Sequence, residues 1–224
     1  MNNYYSQKLS AERLRLCYEI AHPRVKRYLE AEIEFVLDRL NPSSLVLEFG
    51  CGYGRVLQRL AEKARIVVGI DTSPASLMSA RKRIKNVAEY YLAEMNAVQL
   101  GFCGGQFDVV VCIQNGISAF KVDQWRLIRE AMRVTRSGGR VLFSSYAERF
   151  WEERLKWFEI QAAHGLIGEI DYDKTGDGVI AGKDGFKATT VSAEDFVALI
   201  SKLDITPQIT EVDNSSIFCE ILVA

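Results

Sequence analysis

Three glycines in alternate positions follow a short apolar run in VLEFGCGYGR, residues 46–55, and a segment with helical spacing comes directly after them. The glycines are Gly50, Gly52 and Gly54. In a turn from strand to helix, glycine lets the backbone approach a ligand closely, because no Cβ intervenes and a positive φ costs little. The first N–H groups of the helix are free, and its N-terminal end is positively polarised. The segment therefore predicts a ligand-binding turn at the end of a β-strand.

The spacing of these glycines excludes two common phosphate-binding loops. The dinucleotide fingerprint is G-x-G-x-x-G, whereas this loop reads G-x-G-x-G and has Arg55 where the third glycine would fall. A P-loop requires a G-K-[ST] sequence, which does not follow here. We therefore expect a ligand that depends less on phosphate contacts, and a Rossmann-type dehydrogenase is the least favoured alternative.

Short β-branched runs alternate with longer amphipathic segments from Leu45 onward, which is typical of a parallel sheet with crossover helices. Strands are predicted at residues 44–49, 65–70, 90–92, 107–112 and 140–146, with helices at 57–64, 73–84 and 122–135 and a turn at 136–139. Two further strands, at 204–212 and 215–223, are separated by Asp213 and Asn214 and predict a closing antiparallel pair.

Composition narrows the class of protein. The chain has 224 residues, of which 48% are hydrophobic, and this amount of apolar material suits one large domain. With 28 Lys and Arg against 29 Asp and Glu, the net charge of -1 argues against a dedicated polyanion binder. The five cysteines include no C-x-x-C pair, so a reducing cytoplasm is expected. No signal peptide or membrane span is predicted, and we expect a soluble protein.

The ordered motifs of the core resemble those of the class I S-adenosylmethionine-dependent methyltransferases. The run from Glu48 to Gly54 matches the first motif of that family, and Asp71 ends the second strand in GIDTSP, where a carboxylate can accept hydrogen bonds from both ribose hydroxyls. Asn96 stands where the family usually has an acid beside the adenine amino group, and its Oδ1 can still accept from that amine. Residues 112–115, at the end of the fourth strand, match the stretch whose backbone lines the cofactor pocket.

This resemblance implies an α/β fold with a Rossmann-like, seven-stranded, mostly parallel sheet, an antiparallel last strand, helices on both faces and an N-terminal helical cap. It implies S-adenosyl-L-methionine as cofactor, S-adenosyl-L-homocysteine as product, and no metal. The implied cofactor-binding residues are Glu48, Gly50, Cys51, Gly52, Gly54, Asp71, Thr72, Met95, Asn96, Ala97, Ile113 and Gln114. Glu48 would either add negative charge near the sulfonium and ammonium of the cofactor or bond the N–H groups of the loop and hold the turn.

The same resemblance organises the chain as one domain, residues 1–224. Residues 1–40, with two helices broken at Pro23, would form the cap, and residues 44–146 the cofactor-binding core. An insertion at 147–191, with a helix over 150–162 and an irregular, glycine-punctuated hairpin, could cover the acceptor as a lid. A helix beginning near Ser192 and the final strand pair would complete the domain at 192–224.

The acceptor region favours a small molecule. The stretch IQNGISAF lacks the N/D-P-P-[YF] motif of the DNA and glutamine N-methylating branch, and the basic run at 81–85 is the solvated face of a helix, so no nucleic acid is expected. The acceptor would supply a nitrogen, oxygen or carbon nucleophile. The alternatives are a protein that binds S-adenosylmethionine without transferring its methyl group, and a methyltransferase that acts on a macromolecule. No membrane partner is expected, and no oligomeric state is assigned.

Candidate acceptor and catalytic residues lie in the cap and the insertion, and no catalytic residue is assigned from the sequence. The candidate walls of the acceptor pocket are Tyr4, Tyr5, Tyr18, Tyr146, Phe150, Trp151 and Trp157. Trp151 and Phe158 share one helical stripe and are more readily explained as core, whereas Trp157 lies off that stripe and is freer to face a ligand. His22 and His164 are possible bases, although each is more readily explained as a surface or helix-end histidine.

Overall fold

The computed structural model describes residue 4 and residues 8–87, 89–203 and 205–224. The strands of the main sheet are β1 (Leu45–Phe49), β2 (Ile66–Asp71), β3 (Glu89–Glu94), β4 (Phe107–Cys112), β5 (Thr135–Tyr146), β8 (Gln208–Val212) and β9 (Ser216–Leu222); β6 (Ile180–Ala181) and β7 (Lys187–Ala188) form a separate hairpin. The order of the main sheet is β3-β2-β1-β4-β5-β9-β8. The first five strands pair in parallel, and β9 runs antiparallel to both of its neighbours. The predicted sheet is confirmed.

Helices cover both faces of the sheet. They are α1 (Ala11–Glu19), α2 (Pro23–Leu37), α3 (Arg55–Ala61), α4 (Pro74–Arg83), α5 (Gly116–Ala119), α6 (Gln124–Val134), α7 (Trp151–Ala163) and α8 (Ala193–Ser201). Pro23 starts α2, as expected for a residue without an N–H. Ser192 and Asp195 form a reciprocal capping box at the start of α8. None of the helices in the described ranges is both long and apolar enough to cross a membrane.

The apolar core at the sheet lies in two layers that the strands separate, and a third apolar cluster lies between the cap and the insertion. In β4, Val110 packs with residues such as Ile128 of α6 on one face, while Val109 and Val111 pack with residues such as Leu57 of α3 on the other. Successive strand residues point to opposite faces, so a strand buried on both faces reads as a continuous apolar run. This is why residues 109–112 of β4 show no alternation of polar and apolar residues.

The closing hairpin is tied to the cap through an acid in its turn. Asp213 and Asn214 have φ values of 53° and 51°, as a two-residue turn between right-twisted strands requires. The Asp213 carboxylate receives Nη1 of Arg24 at 2.7 Å and Nη2 of Arg27 at 2.5 Å, both from α2. The sequence predicted this turn but not its attachment to the cap.

The turn predicted at residues 136–139 is wrong, because this segment belongs to β5 as a bulge. Phe107 pairs with Thr135, but Val109 pairs with Arg140, so β5 accommodates three extra residues between the two pairs. Gly138 has a φ of 73°, and its N–H donates to the carbonyl of Val223 at 2.8 Å. Backbone groups of β5 that do not pair with β4 are therefore hydrogen-bonded to Val223 instead.

Gly54 is required by close packing as well as by its conformation. It has a φ of 84°, and a Cβ at this position would lie 2.8 Å from Cδ1 of Ile84 and 3.1 Å from Cβ of Ala80. Gly165 has a φ of 65° but no atom within 4 Å of such a Cβ. Gly165 is therefore required only for its backbone conformation, whereas Gly54 is required both for its conformation and for lack of space.

We predict that Gly165→Ala lowers the free energy of unfolding by about 1–2 kcal/mol, the cost of the left-handed backbone alone. Gly54→Ala should lower it by about 2–5 kcal/mol, because overpacking against α4 adds to that cost. Urea denaturation of both variants at pH 7 measures the difference. Equal losses would contradict the steric role of Gly54.

Candidate functional site

The glycine loop lies at the carboxyl end of β1, between β2 and β4, where the strand order of the sheet reverses. Gly50 and Gly52 have φ values of 68° and 53°. A Cβ on Gly50 would lie 2.6 Å from Cζ of Phe120, so the ring occupies the space that any other side chain would need. Crevices at such a reversal are where open α/β sheets bind their ligands.

Asp71 at the end of β2 holds this loop in place. Its Oδ2 accepts from the N–H of Gly52 at 3.0 Å, and its Oδ1 accepts from the N–H of Ser73 at 2.8 Å. Burial raises the pKa of Asp71 above its usual value, and these backbone donors oppose the rise. One of the two roles considered for Glu48 was to bond the N–H groups of the loop. At Gly52 this role belongs to Asp71 instead.

Glu48 and Arg55 bring a carboxyl group and a guanidinium to the same cavity. Glu48 is 4% exposed, and burial raises its pKa to about 8, although the charge of Arg55 opposes this rise. Within the described ranges, Oε2 of Glu48 and Nη2 of Arg55 are both buried and have no hydrogen-bond partner. Both residues line the cavity. A buried carboxylate and guanidinium with unused valences are expected to bind a ligand that carries complementary charges.

The end of β4 has a strained backbone that the cap supports. Gln114 and Asn115 have φ values of 57° and 61°, which few residues other than glycine adopt. The N–H of Gln114 donates to Oε2 of Glu32 at 2.6 Å and to Oγ of Ser144 at 2.8 Å, and Ser144 donates to the same Glu32 oxygen at 2.9 Å. Burial raises the pKa of Glu32 to about 7.

Glu32 is the main site-forming residue that the sequence interpretation missed. It is fully buried in α2, between apolar residues that include Leu29, Ile33 and Val36. An acid inside the apolar stripe of an amphipathic helix was a signal that could have found it, since such a position is costly unless the acid has partners.

Asn115 joins the end of β4 to the exit of the insertion. Its Nδ2 donates to the carbonyl of Thr189 at 2.9 Å, and its Oδ1 accepts from Oγ of Ser145 at 2.9 Å. The same serine oxygen accepts from the N–H of Val191 at 2.8 Å. The two consecutive left-handed residues are thus held by different segments, one by the cap and the other by the insertion.

One cavity of about 200 Å³ brings most of the predicted cofactor-binding residues together. Those that line it are Glu48, Gly50, Cys51, Gly52, Asp71, Thr72, Met95, Asn96, Ala97, Ile113 and Gln114. Gly54 is outside this lining, because it packs against α4 instead. Asn96 uses its Oδ1 to accept from the N–H of Val98 at 3.1 Å, so it also closes its own turn.

One part of the cavity, which we call the cap compartment, is lined from the cap, the end of β5 and α7. Its residues are Leu9, Leu14, Cys17, Tyr18, Tyr146, Trp157, Phe158 and Gln161. Nε1 of Trp157 donates to the carbonyl of Cys17 at 2.8 Å, which fixes α7 against α1. The prediction for Phe158 is wrong in one respect, since it lines the cavity while it also packs in the core.

Other candidate wall residues lie elsewhere. Tyr4 donates to Oδ2 of Asp184 at 2.6 Å, and the Phe150 ring packs 5.1 Å from that of Tyr28. Neither they nor Trp151 are among the described residues that line the cavity. Tyr5 lies outside the described residues.

Both candidate histidine bases are also outside the lining. Nε2 of His22 lies 3.1 Å from the carbonyl of Glu153, and Nδ1 of His164 lies 2.8 Å from the carbonyl of Ile160. They occupy the N-cap of α2 and the C-cap of α7. These positions match the interpretation as helix-end histidines.

We predict that the stability of the protein depends on pH through Glu32. A carboxyl whose pKa is raised in the folded state stabilises it fully only below the unfolded pKa, and this contribution is lost as the pH rises through about 7. Relative to wild type, Glu32→Gln should therefore gain on the order of 3 kcal/mol in unfolding free energy between pH 5 and pH 8. Urea denaturation at both values measures this gain. Glu34→Gln, at an exposed position of the same helix, is the matched control and should show no such gain. An unchanged pH dependence in Glu32→Gln would contradict the buried titration.

Comparison with known proteins shows what the core of the chain is similar to. Residues 46–139 match the model of a methyltransferase domain. A 2-methyl-6-phytyl-1,4-hydroquinone methyltransferase of Synechocystis is 29% identical over 58% of this chain and 46% of its own length. A ribosomal protein L11 methyltransferase of Methylobacillus flagellatus is 30% identical over 58% of this chain and 43% of its own length. The chain thus matches less than half the length of these curated relatives.

Solved structures share the fold. A protein from Pyrococcus horikoshii superposes with a TM-score of 0.68 at 19% identity and full coverage of both chains. The magnesium protoporphyrin IX methyltransferase of Synechocystis with bound SAH superposes with a TM-score of 0.64 at 16% identity, over 99% of this chain and 97% of that one. Residues 46–139 are therefore similar to a methyltransferase domain, and the chain shares the fold of these solved structures.

Proposed function

We propose that this protein transfers a methyl group from S-adenosylmethionine to a small-molecule acceptor. The observation that carries the proposal is that one cavity joins the glycine loop and Asp71 to the cap compartment. The two parts offer neighbouring places for a cofactor and an acceptor. The relatives named as a hydroquinone methyltransferase and a porphyrin methyltransferase support a small acceptor.

The charges of the cavity fit the methionine part of the cofactor. That part carries an ammonium and a carboxylate, and the cavity offers the Glu48 carboxyl and the Arg55 guanidinium, each with a buried polar atom that has no partner in the described ranges. A nearby ammonium would favour the ionised form of Glu48 and lower its raised pKa. Glu48 would then act through its charge, which is the first of the two roles considered for it.

The remaining cofactor contacts follow from the ends of the strands. Asp71 has lone pairs left after bonding Gly52 and Ser73, so it can accept from the ribose hydroxyls as well. The Oδ1 of Asn96 already accepts from the N–H of Val98, so the adenine amine would be a second donor to the same oxygen. The other contacts proposed are Gly50, Cys51, Gly52, Thr72, Met95, Ala97, Ile113 and the backbone of Gln114, all of which line the cavity.

When bound, the cofactor supplies a methyl group on a positively charged sulfur. The chain contributes position and enclosure, because the acceptor atom would attack the methyl carbon in line as the carbon–sulfur bond breaks and a neutral thioether leaves, and this displacement requires alignment of donor and acceptor more than acid or metal assistance. Trp157 and Phe158 of α7, together with Tyr18 of α1, form walls of the cap compartment, and closure of these walls over the ligands would exclude water from the transfer. The described lining contains no histidine, so an acceptor that is already nucleophilic suits this site.

We predict that Asp71 is needed for cofactor affinity. Asp71→Ala should weaken binding of S-adenosylhomocysteine by about 1.5–3 kcal/mol, since charge-assisted bonds to the ribose and the anchor of the loop are lost. Asp71→Asn keeps one acceptor oxygen, so its affinity for S-adenosylhomocysteine should lie between those of wild type and Asp71→Ala. Isothermal titration calorimetry gives the order, and Asp173→Ala, at an exposed position of the insertion, should bind as wild type does. Equal affinity of Asp71→Ala and wild type would remove Asp71 from the proposed site.

The proposed activity is tested with S-adenosylmethionine that carries a labelled methyl group. The protein is incubated with the low-mass fraction of a cell extract and, separately, with its protein and RNA fractions. We expect label in a low-mass product with wild type and its loss in Asp71→Ala. If label appears only in the protein or RNA fraction, the acceptor is a macromolecule and the proposal of a small acceptor is wrong. Binding of the cofactor without any transfer would make the chain a cofactor-binding protein instead.

A further inference from the structure

The lining of the cavity limits the kind of nucleophile that an acceptor can present. Its charged residues in the described ranges are Glu48, Arg55 and Asp71. Asp71 already accepts from the N–H groups of Gly52 and Ser73, and Glu48 is the counter-charge proposed for the ammonium of the cofactor. A hydroxyl must lose a proton when it is methylated, and neither acid is left to take it. The site therefore suits an acceptor atom that has no proton to lose.

Arg55 is the one cation among the described lining residues. Its Nη2 is buried and has no hydrogen-bond partner within the described ranges. Its Nη1 lies 3.9 Å from Oε1 of Glu30, but that exposed acid is held more closely by Arg59, whose Nη1 lies 2.5 Å from Oε2. A guanidinium has donors only, and its strongest hydrogen bonds are made with anions. The unused Nη2 therefore indicates an anionic ligand.

The Arg55 guanidinium lies beside the cap compartment as well as near the proposed methionine site. Its Cζ is 4.9 Å from the ring centroid of Tyr18, and the Tyr18 ring is 5.8 Å from that of Trp157. Both aromatic residues line the cap compartment. Aromatic walls screen a charge less than water does, so the guanidinium acts on a ligand in this compartment. An anion would be stabilised there, and an ammonium would be repelled.

A second guanidinium adds to the positive potential of the same wall. Cζ of Arg83, at the end of α4, lies 5.5 Å from the ring centroid of Tyr53, and the rings of Tyr53 and Tyr18 are 6.0 Å apart. Tyr53 also lines the cavity. Arg83 is exposed, so solvent and salt screen its charge and its contribution is smaller than that of Arg55.

The two acids of the lining do not cancel this potential. Burial raises the pKa of Glu48 to about 8, so its carboxyl is largely uncharged at pH 7 unless a cation lies beside it. The cation proposed there is the ammonium of the cofactor, which would balance the charge of Glu48. The oxygens of Asp71 accept from backbone N–H groups of the glycine loop and of α4. A carboxylate in the cavity therefore meets a positive wall.

We propose that the methyl acceptor is an organic carboxylate, which becomes a methyl ester, and that Arg55 is the residue that selects its negative charge. This assignment rests on the proposed function and adds the chemical class of the acceptor to it. One carboxylate oxygen attacks the methyl carbon while the carbon–sulfur bond breaks and its electron pair stays on sulfur. The two charges cancel, so a neutral ester and a neutral thioether form and no proton is released.

Arg55 can serve this acceptor and the methionine carboxylate together. A guanidinium carries five N–H donors, and a bidentate carboxylate uses two of them. The acceptor oxygen that does not attack is the one that the guanidinium holds, so pairing leaves the other oxygen available for the methyl carbon.

The bond that forms is tested on the labelled low-mass product. Mild alkali cleaves a methyl ester and releases methanol, whereas a methyl group on nitrogen, carbon or an aromatic ether oxygen stays in place. We expect alkali to convert the label into volatile methanol. Label that stays non-volatile would overturn the ester. If S-adenosylhomocysteine does not bind to wild type, or no low-mass product is labelled, the proposed function fails first.

Selection for negative charge is tested with two probes of the same shape, phenylacetate and 2-phenylacetamide. Calorimetry is performed at pH 7 on wild type saturated with S-adenosylhomocysteine. Phenylacetate should bind at least about tenfold more tightly than the neutral amide, because its charge is paired with a buried guanidinium. Equal affinities, or no saturable binding of phenylacetate, would overturn the carboxylate as acceptor.

Two substitutions test the role of Arg55, again with saturating S-adenosylhomocysteine. Arg55→Gln removes the charge and should reduce the preference for phenylacetate over 2-phenylacetamide to about twofold or less. Arg55→Lys keeps the charge without the fork and should retain a preference of about threefold or more. The ratio of the two affinities within one variant is a readout that a purely structural role would not change, because both probes occupy the same site.

Arg81→Gln is the matched control. It removes the same charge from an exposed position of α4 and should keep the preference of wild type. An unchanged preference in Arg55→Gln, or an equal loss of preference in Arg81→Gln, would overturn the assignment of Arg55.

Discussion

The Asp71 carboxylate is the interaction on which the geometry of the site depends. It joins the glycine loop after β1 to the start of α4 through the N–H groups of Gly52 and Ser73. The chain of bonds continues outward, because Oγ of Ser73 accepts from Ser76 and Oγ of Ser76 accepts from the N–H of Ala11 at the start of α1. A single acid at the end of a central strand thus fixes the loop, a crossover helix and the cap relative to one another.

Burial of acids sets the electrostatic character of the cavity. Glu48 and Glu32 have pKa values raised to about 8 and 7, in both cases because burial disfavours the charged form. Their surroundings differ, however. Oε2 of Glu32 has protein donors, whereas Oε2 of Glu48 has none within the described ranges and lies in the cavity wall. The same physical cause therefore gives one acid a structural role and leaves the other free to respond to a cationic ligand.

Most of the fold could be predicted from the sequence because the local sequence signals agree with the global architecture. Residues 109–112 are apolar throughout because both faces of β4 are covered, and Ser73 and Ser192 accept hydrogen bonds from the backbone N–H groups that begin α4 and α8. The segment at 136–139 was predicted as a turn, since Gly-Gly resembles a chain reversal, and only the partner at Val223 makes it a bulge. A local sequence pattern does not show which distant residue a segment will pair with.

The site was less predictable than the fold for the same reason. The loop, Asp71 and the end of β4 follow from motif order, but Glu32 contributes through contacts with residues far away in sequence. The position of Phe158 depends on how α7 packs against the cap. Side chains that line a cavity from two separate segments cannot be identified until the packing of those segments is known.

The end of β4 couples the cavity to both flanking segments. Gln114 is held by Glu32 of the cap, and the adjacent Asn115 is held to Thr189 of the insertion. Because the two residues are consecutive and both are left-handed, a shift of either segment would disturb the conformation of both. The cap and the insertion are therefore structural parts of the site. Any movement that opens the cap compartment by displacing α2 must break the buried bonds of Glu32, which gives the enclosed state a defined energetic cost.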